Sequence, residues 1–274
     1  MIKIYPTVVL KDSALYNLMK ESKKHTMHYT PIGAKCIKKN LVNFKPLTDR
    51  QFASFILKVK NNLIPPYVRI SRLVRDVPAT SIQAGPKLSN LRQLIAKKSN
   101  CQCIRCREVG GDYNLNEKII LNRINYLASG GQEIFLQYVS PDKKKLFALL
   151  RLRIPSQLSS GQSISQAEKF NFKTPTKSLS SAQDEKLYQL FPVLKNAALI
   201  REVHTYGKLV AINKKDKGSP QHIGLGKKLI HQAEKIVQKE FGLNKMVVIS
   251  GVGVREYYRK LGYRQKETYM IKNI

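Results

Sequence analysis

The chain has 274 residues, 42% of them hydrophobic, and its 49 Lys+Arg against 18 Asp+Glu give a formal net charge of +31. The length implies about two domains, and no apolar run approaches the ~18 residues that a membrane-spanning helix needs. The charge excess is spread along the chain, with 21 basic and 6 acidic residues at positions 1–112, which points to a polyanionic partner, nucleic acid first. A base-biased genome enriched in lysine is the alternative. Met1-Ile-Lys-Ile-Tyr-Pro lacks the regions of a signal peptide, so a cytoplasmic location is expected.

Taken in order, Ile2, Ile4, Val8 and Val9 suggest a strand and residues 13–20 a short helix. Residues 21–45 have no clear period and are expected to be a loop or insertion. Thr48 is a candidate N-cap for a helix to Lys60, with Phe52, Phe55, Ile56 and Val59 on one face. Pro65-Pro66 ends it. Residues 67–74 alternate as a strand, Gly85-Pro86 marks a turn, and 90–98 predict a basic helix. Lys118–Ala128, Glu133–Val139 and Lys145–Ile154 predict a three-strand meander joined at Gly130-Gly131 and Ser140–Lys143. Residues 155–185, rich in Ser, Gln, Thr and Lys, read as a surface insertion. A strand at 197–204, a helix to Gly242, a buried strand at 245–250, a short helix at 254–261 and a last strand at 263–271 complete a mixed α/β chain.

Two motifs offer chemistry. Cys101-x-Cys103-x-x-Cys106 puts three thiols within six residues, close enough to share one tetrahedral ion, and no secretory signal favours disulfides. Cys36, His25 or His28 could supply a fourth ligand; free thiols on a loop are the alternative. Gln221-x-x-Gly224-x-Gly226 opens an amphipathic helix, where backbone N–H groups and the positive dipole end can hold a pyrophosphate. Lys227 is followed by Lys228, so this is not a Walker A loop. An ordinary helix entry has the same spacing.

With Gln221–Gly226 following a strand, and Ile249-Ser-Gly-Val-Gly253 then Tyr257-Tyr-Arg-Lys-Leu-Gly-Tyr263 downstream, the second half resembles a GNAT-type acetyltransferase. The resemblance is closer to the catalytic subunit of Elongator, the tRNA uridine acetyltransferase. Asn196–Gly207, Lys3–Thr7, Pro65–Ile70, Arg75–Pro78, Ser89–Arg92 and Cys101–Gly110 share in it, so it covers nearly the whole chain outside 22–42 and 156–192. It implies a C-terminal GNAT domain at 113–274 with an insertion at 156–192. A Cys-rich zinc linker at 99–112 and the truncated C-terminal part of a radical S-adenosylmethionine barrel at 1–98 would precede it. The family's iron–sulfur signature, Cys-x-x-x-Cys-x-x-Cys, is nowhere in this sequence. The chain alone is therefore expected to lack the 4Fe–4S cluster and most of the S-adenosylmethionine pocket, which a separate polypeptide could supply.

The resemblance further implies acetyl-CoA at Gln221, His222, Ile223, Gly224, Leu225, Gly226 and Lys227, structural zinc at Cys101, Cys103 and Cys106, and tRNA as partner. Tyr258 is the expected proton donor to a departing CoA thiolate, or polariser of the carbonyl, and Tyr257 its support, against the plain reading of one core and one surface tyrosine. Glu202 and His204 share a strand face, so either could be a base, or His204 a core residue. Arg69, Arg72, Arg75, Lys87, Arg92, Lys97, Lys98, Arg105 and Arg107 form the expected tRNA-facing surface, against the plain reading of a solvated basic face. The leading function is acetyl-CoA-dependent acyl transfer in wobble-uridine modification of tRNA. Its rivals are N-acetylation of a lysine or small amine and a non-enzymatic tRNA-binding module.

Overall fold

The computed structural model describes residues 1–22, 28–29, 42–43, 45–110, 117–155, 188–207 and 224–274. They fall into two units, Met1–Cys106 and Arg107–Ile274.

In chain order the first unit contains β1 (Ile2–Lys3), β2 (Val9–Leu10), α1 (Ala14–Ser22), β3 (His28–Tyr29), β4 (Val42–Asn43), α2 (Asp49–Asn62), β5 (Ile70–Arg72), β6 (Ile82–Ala84) and α3 (Leu91–Ala96). α4 (Ile104–Arg107) follows. β1 pairs in parallel with β5, while β2–β6 and β3–β4 are antiparallel. α2 is fixed at its start by a capping box. The Thr48 hydroxyl accepts from the Gln51 N–H (3.3 Å) and Gln51 Oε1 accepts from the Thr48 N–H (2.9 Å), so two otherwise orphaned donors are satisfied.

The buried stripe of α2 is Phe52, Ile56 and Lys60. Phe52 and Ile56 pack with Ile70, Leu73, Leu91, Ile95, Cys101 and Cys103. Phe55, expected on this face, is 52% exposed: the true stripe runs at i, i+4, i+8, and position 55 lies beside it. The strand expected at 67–74 shortens to β5, and the helix expected at 90–98 to α3.

The second unit is a seven-stranded sheet. Its strands are β7 (Ile120–Ala128), β8 (Gly131–Val139), β9 (Leu146–Ile154), β10 (Ala198–Thr205), β11 (Lys245–Ile249), β12 (Arg264–Lys266) and β13 (Tyr269–Asn273), in the order β12-β13-β11-β10-β9-β8-β7. Among these strands, only β10 and β11 pair in parallel. Ser129 and Gly130 both have positive φ (46° and 74°), the twist that joins two strands tightly. α5 (Leu225–Phe241) lies against β8, β9 and β10. Its Leu229, Ile230, Ala233, Ile236 and Val237 are buried with Ile134, Leu136, Leu150, Leu152 and Ile200. α6 (Arg255–Arg259) follows β11. The expected last strand is instead a hairpin, β12 and β13, reversed where Glu267 takes φ 54°. The mixed α/β class holds.

Candidate functional site

Two features of the second unit converge on the start of α5. β10 and β11 pair over Ala198–Ile200 and Met246–Val248, after which Glu202–Thr205 continue, among the described residues, against β9 alone. The register of β10 shifts between Ile200 and Glu202, as at a β-bulge, a feature that bends a strand and releases pairing. The two strands therefore part, and α5 begins nearby.

Among the described residues, no side chain caps α5. Gly224 stands at its N-cap with φ 73°, and the first helical bond runs from the Lys228 N–H to the Gly224 carbonyl (3.0 Å). The N–H groups of Leu225, Gly226 and Lys227 precede that bond, the donor set that suits an anion. Gly226 leaves room for a close approach: a methyl group there would lie 3.2 Å from the Tyr257 hydroxyl, 3.5 Å from Thr205 Cγ2 and 3.9 Å from Val203 Cγ1. The helix start is thus gathered with the end of β10 and with Tyr257. Gln221, His222 and Ile223 lie outside the described residues.

The two tyrosines have different surroundings. Tyr258 is 6% exposed and packs in the core, its ring edge-on to Tyr257 (5.3 Å) and Tyr263 (5.7 Å). Burial, and then the neighbouring Tyr257, push its phenol up to about 12. Tyr257 is 41% exposed with its hydroxyl near Gly226, and burial raises its pKa as well. Tyr263 donates to the buried Glu234 (2.8 Å), which also accepts from Lys272 (3.0 Å) and pairs with His231 (3.0 Å).

Glu202 and His204 do meet, His204 Nε2 standing 3.5 Å from Glu202 Oε1. The other Glu202 oxygen accepts from Arg151 Nε (2.6 Å), while Arg151 Nη1 donates to the Tyr126 hydroxyl (3.0 Å) and its guanidinium lies over Phe135. Glu202 is therefore an ion-pair partner rather than an open carboxylate. His204 stacks on Tyr206 at 6.0 Å and is more than half exposed, which disposes of the core-histidine alternative. Sequence reasoning missed Arg151 and the buried Glu133, which accepts from Arg153 (3.1 Å) and Arg201 (2.5 Å) and leaves Oε2 without a partner among the described residues. The available signal was a charge alternating with leucines in Leu149–Arg153.

In the first unit, Cys101, Cys103 and Cys106 are free thiols whose sulfurs lie within 4.8 Å of one another. Hydrogen bonds from the Cys101 and Cys106 side chains, then from the backbone N–H groups of Ile70 and Cys106, hold the Cys103 thiol far below its ordinary range. Sulfurs that receive N–H donors and cluster at this spacing fit a thiophilic ion. No fourth ligand joins them among the described residues. His25 and Cys36 lie outside those residues, and His28 is described only as part of β3.

The basic residues do not form one set. Arg75, Lys87, Lys97, Lys98 and Arg105 are exposed, Arg75 over the Tyr5 ring (5.3 Å). Arg72 is exposed but ion-paired with Asp76, and Arg69 is half-buried. Arg92 is turned inward, donating to the Ile70 carbonyl (2.9 Å). Arg107 is a correction to the expected tRNA-facing group: it is 3% exposed and donates to the buried Gln137 (2.9 Å), so it is not part of an exposed basic face.

No family model matches the chain. Along its whole length, however, it is similar to curated proteins. It is 35% identical over 280 residues to the tRNA uridine(34) acetyltransferase of Dehalococcoides mccartyi, covering all of this chain and 50% of that protein. The tRNA uridine(34) acetyltransferase of Methanocaldococcus jannaschii is 36% identical over 284 residues (99% of this chain, 43% of the relative). Elongator complex protein 3 of Homo sapiens is 31% identical over 281 (99% and 42%). The solved structure of the archaeal Methanocaldococcus infernus Elp3 with an N-terminal deletion superposes with a TM-score of 0.68 at 34% identity, covering all of this chain and 55% of that one. The resemblance carried by the sequence motifs is borne out by these relatives. The chain spans about half the length of the relatives it matches.

Proposed function

We propose that the chain provides the acetyl-CoA-dependent acyltransferase part of a wobble-uridine modification of tRNA. Whole-length similarity to proteins named tRNA uridine(34) acetyltransferase supports this most strongly, and the uncapped start of α5 beside the parted strands gives the reading a physical basis. The N–H groups of Leu225, Gly226 and Lys227 would hold the CoA pyrophosphate. The pantetheine would lie between β10 and β11, hydrogen-bonding the strand edge that β11 leaves open. Tyr257, with its hydroxyl at Gly226 and a raised pKa, would remain protonated at neutral pH and give its proton to the departing thiolate. Tyr258 is better suited to holding that ring in place. Glu202 and His204 would orient the acceptor or its water from the neighbouring strand.

In the first unit, Cys101, Cys103 and Cys106 would hold zinc as a structural ion. Arg75, Lys87, Lys97, Lys98 and Arg105 would meet tRNA phosphates. The radical chemistry that the sequence resemblance implies would come from residues or a polypeptide carrying the iron–sulfur motif that this sequence lacks. A cytoplasmic setting fits such a substrate; no helix among the described residues is long and apolar enough to cross a membrane.

The test is CoA release from acetyl-CoA by the purified chain, with and without tRNA. Release stimulated by tRNA is expected. Absence of release under both conditions overturns the acyltransferase reading, and retention of tRNA without turnover then leaves a binding module. Release driven by an added amine and indifferent to tRNA replaces the proposed acceptor with a lysine or small amine.

A further inference from the structure

Lys60 occupies the third position of the buried stripe of α2, one turn beyond Ile56, and is 2% exposed. Its ammonium has no carboxylate partner among the described residues and donates to Cys106 Sγ at 3.5 Å. A buried lysine is rare unless paired, because desolvating an ammonium is costly. Here the available partner is sulfur. Arg92 approaches the same atom, its Nη1 3.9 Å away and its Nη2 anchored on the Ile70 carbonyl. The next residue of α2, Asn61, accepts from the Asn100 N–H (2.9 Å) and the Ser99 hydroxyl (3.3 Å) through Oδ1. The end of α2 thus grips the cysteine segment on both sides, by Asn61 just before Cys101 and by Lys60 at Cys106.

We infer that Lys60 is the buried counter-cation of the three-thiolate metal site, a positioning residue that holds the ion through the Cys106 sulfur, with Arg92 as a weaker second. This rests on the metal reading of the cysteine cluster proposed above. A divalent ion ligated by three thiolates has one net negative charge, and an ammonium at hydrogen-bond range of one sulfur offsets it inside the core. The same bond fixes the direction of the Cys106 sulfur, the one exposed member of the triad. Outer-sphere partners of this kind are worth about 10–100-fold in metal affinity when removed.

The experiment compares the full chain with Lys60→Met, which keeps length and apolar volume and removes the charge. Zinc content is measured by elemental analysis, retention by titration with a competing chelator, and thermal unfolding with and without zinc. The parent is expected to retain one zinc per chain; a parent that binds none overturns the metal reading itself, and the role of Lys60 with it. Lys60→Met is expected to hold zinc about 10–100-fold more weakly, while the metal-free chain unfolds at the same temperature or higher, because an ammonium that costs desolvation has gone. Zinc held as tightly by the variant as by the parent overturns the proposal. So does an equal loss of stability with and without zinc, which is the signature of a packing role alone. If Lys60→Met does not fold even in excess zinc, Arg92→Gln decides. Several-fold weaker retention supports the two-cation arrangement, and unchanged retention overturns it.

Discussion

Adjacent positions on a helix point about 100° apart, so Tyr257 and Tyr258 were always going to have different surroundings. Which of them stands beside the start of α5 could not be read from the pair itself. It depends on Tyr263 and the core beneath α6, which claim Tyr258, and on Gly226, whose missing side chain admits the Tyr257 hydroxyl. Tyr257→Phe is therefore expected to slow CoA release by about 10²–10⁴-fold, the usual worth of a positioned acid, with little change in stability. The sign of the pH dependence follows from the raised phenol pKa. The acid form persists through neutral pH and is lost only as pH rises above the ordinary phenol range. The parent rate should fall on the alkaline side, and this limb should vanish in Tyr257→Phe. Tyr258→Phe is expected to retain most activity. A larger rate loss in Tyr258→Phe than in Tyr257→Phe, read from initial rates across pH, reverses the assignment. Arg107 illustrates the same limit of local reading. Its partner Gln137 lies thirty residues away, and no local pattern distinguishes it from the exposed Arg105.

At the scale of elements, the legible parts were those governed by short-range rules. Turn residues gave the β7–β8–β9 meander, period-3.6 spacing gave α5, and Thr48 gave the start of α2, where the capping box forms as its residues allow. The misses came from long-range or unusual backbone choices. Glu267 takes a positive φ without being glycine, so the β12–β13 hairpin had no turn signal. The register shift between Ile200 and Glu202, which helps part β10 from β11, leaves no mark in composition. The candidate site was half legible for the same reason: glycine spacing indicated the start of α5, but not what packs against it. Gly226→Ala tests that approach. Its Cβ would meet the Tyr257 hydroxyl at 3.2 Å, tighter than ordinary packing, so the phenol must move by a few tenths of an ångström. The expected result is weaker acetyl-CoA binding by calorimetry and slower CoA release, with the helix itself intact because alanine favours it. Unchanged binding and rate would show that the approach of Tyr257 to the helix start is incidental.

For the whole molecule, the +31 net charge bears on partner and association rate rather than on fold. Basic residues enter the structure in three ways. Some are internal, as Lys60, Arg107 and Arg151 are, each bonded to a specific atom. Some pair with carboxylates on the surface, as Arg72 does with Asp76, where the gain is small. Others among the described residues, Arg75, Lys87, Lys97 and Lys98, are exposed. Only this last class should govern salt dependence. Removing one cation that neutralises a phosphate should lower the slope of log affinity against log salt by about 0.7–0.9. Lys97→Gln with Lys98→Gln is therefore expected to flatten the slope for tRNA by between one and two, while Arg72→Gln changes it little. Equal effects from both changes, measured by filter binding across salt concentrations, would mean that tRNA responds to overall charge and not to this face. A flattened slope confined to the lysine pair would locate the nucleic-acid surface on the α3 side of the first unit.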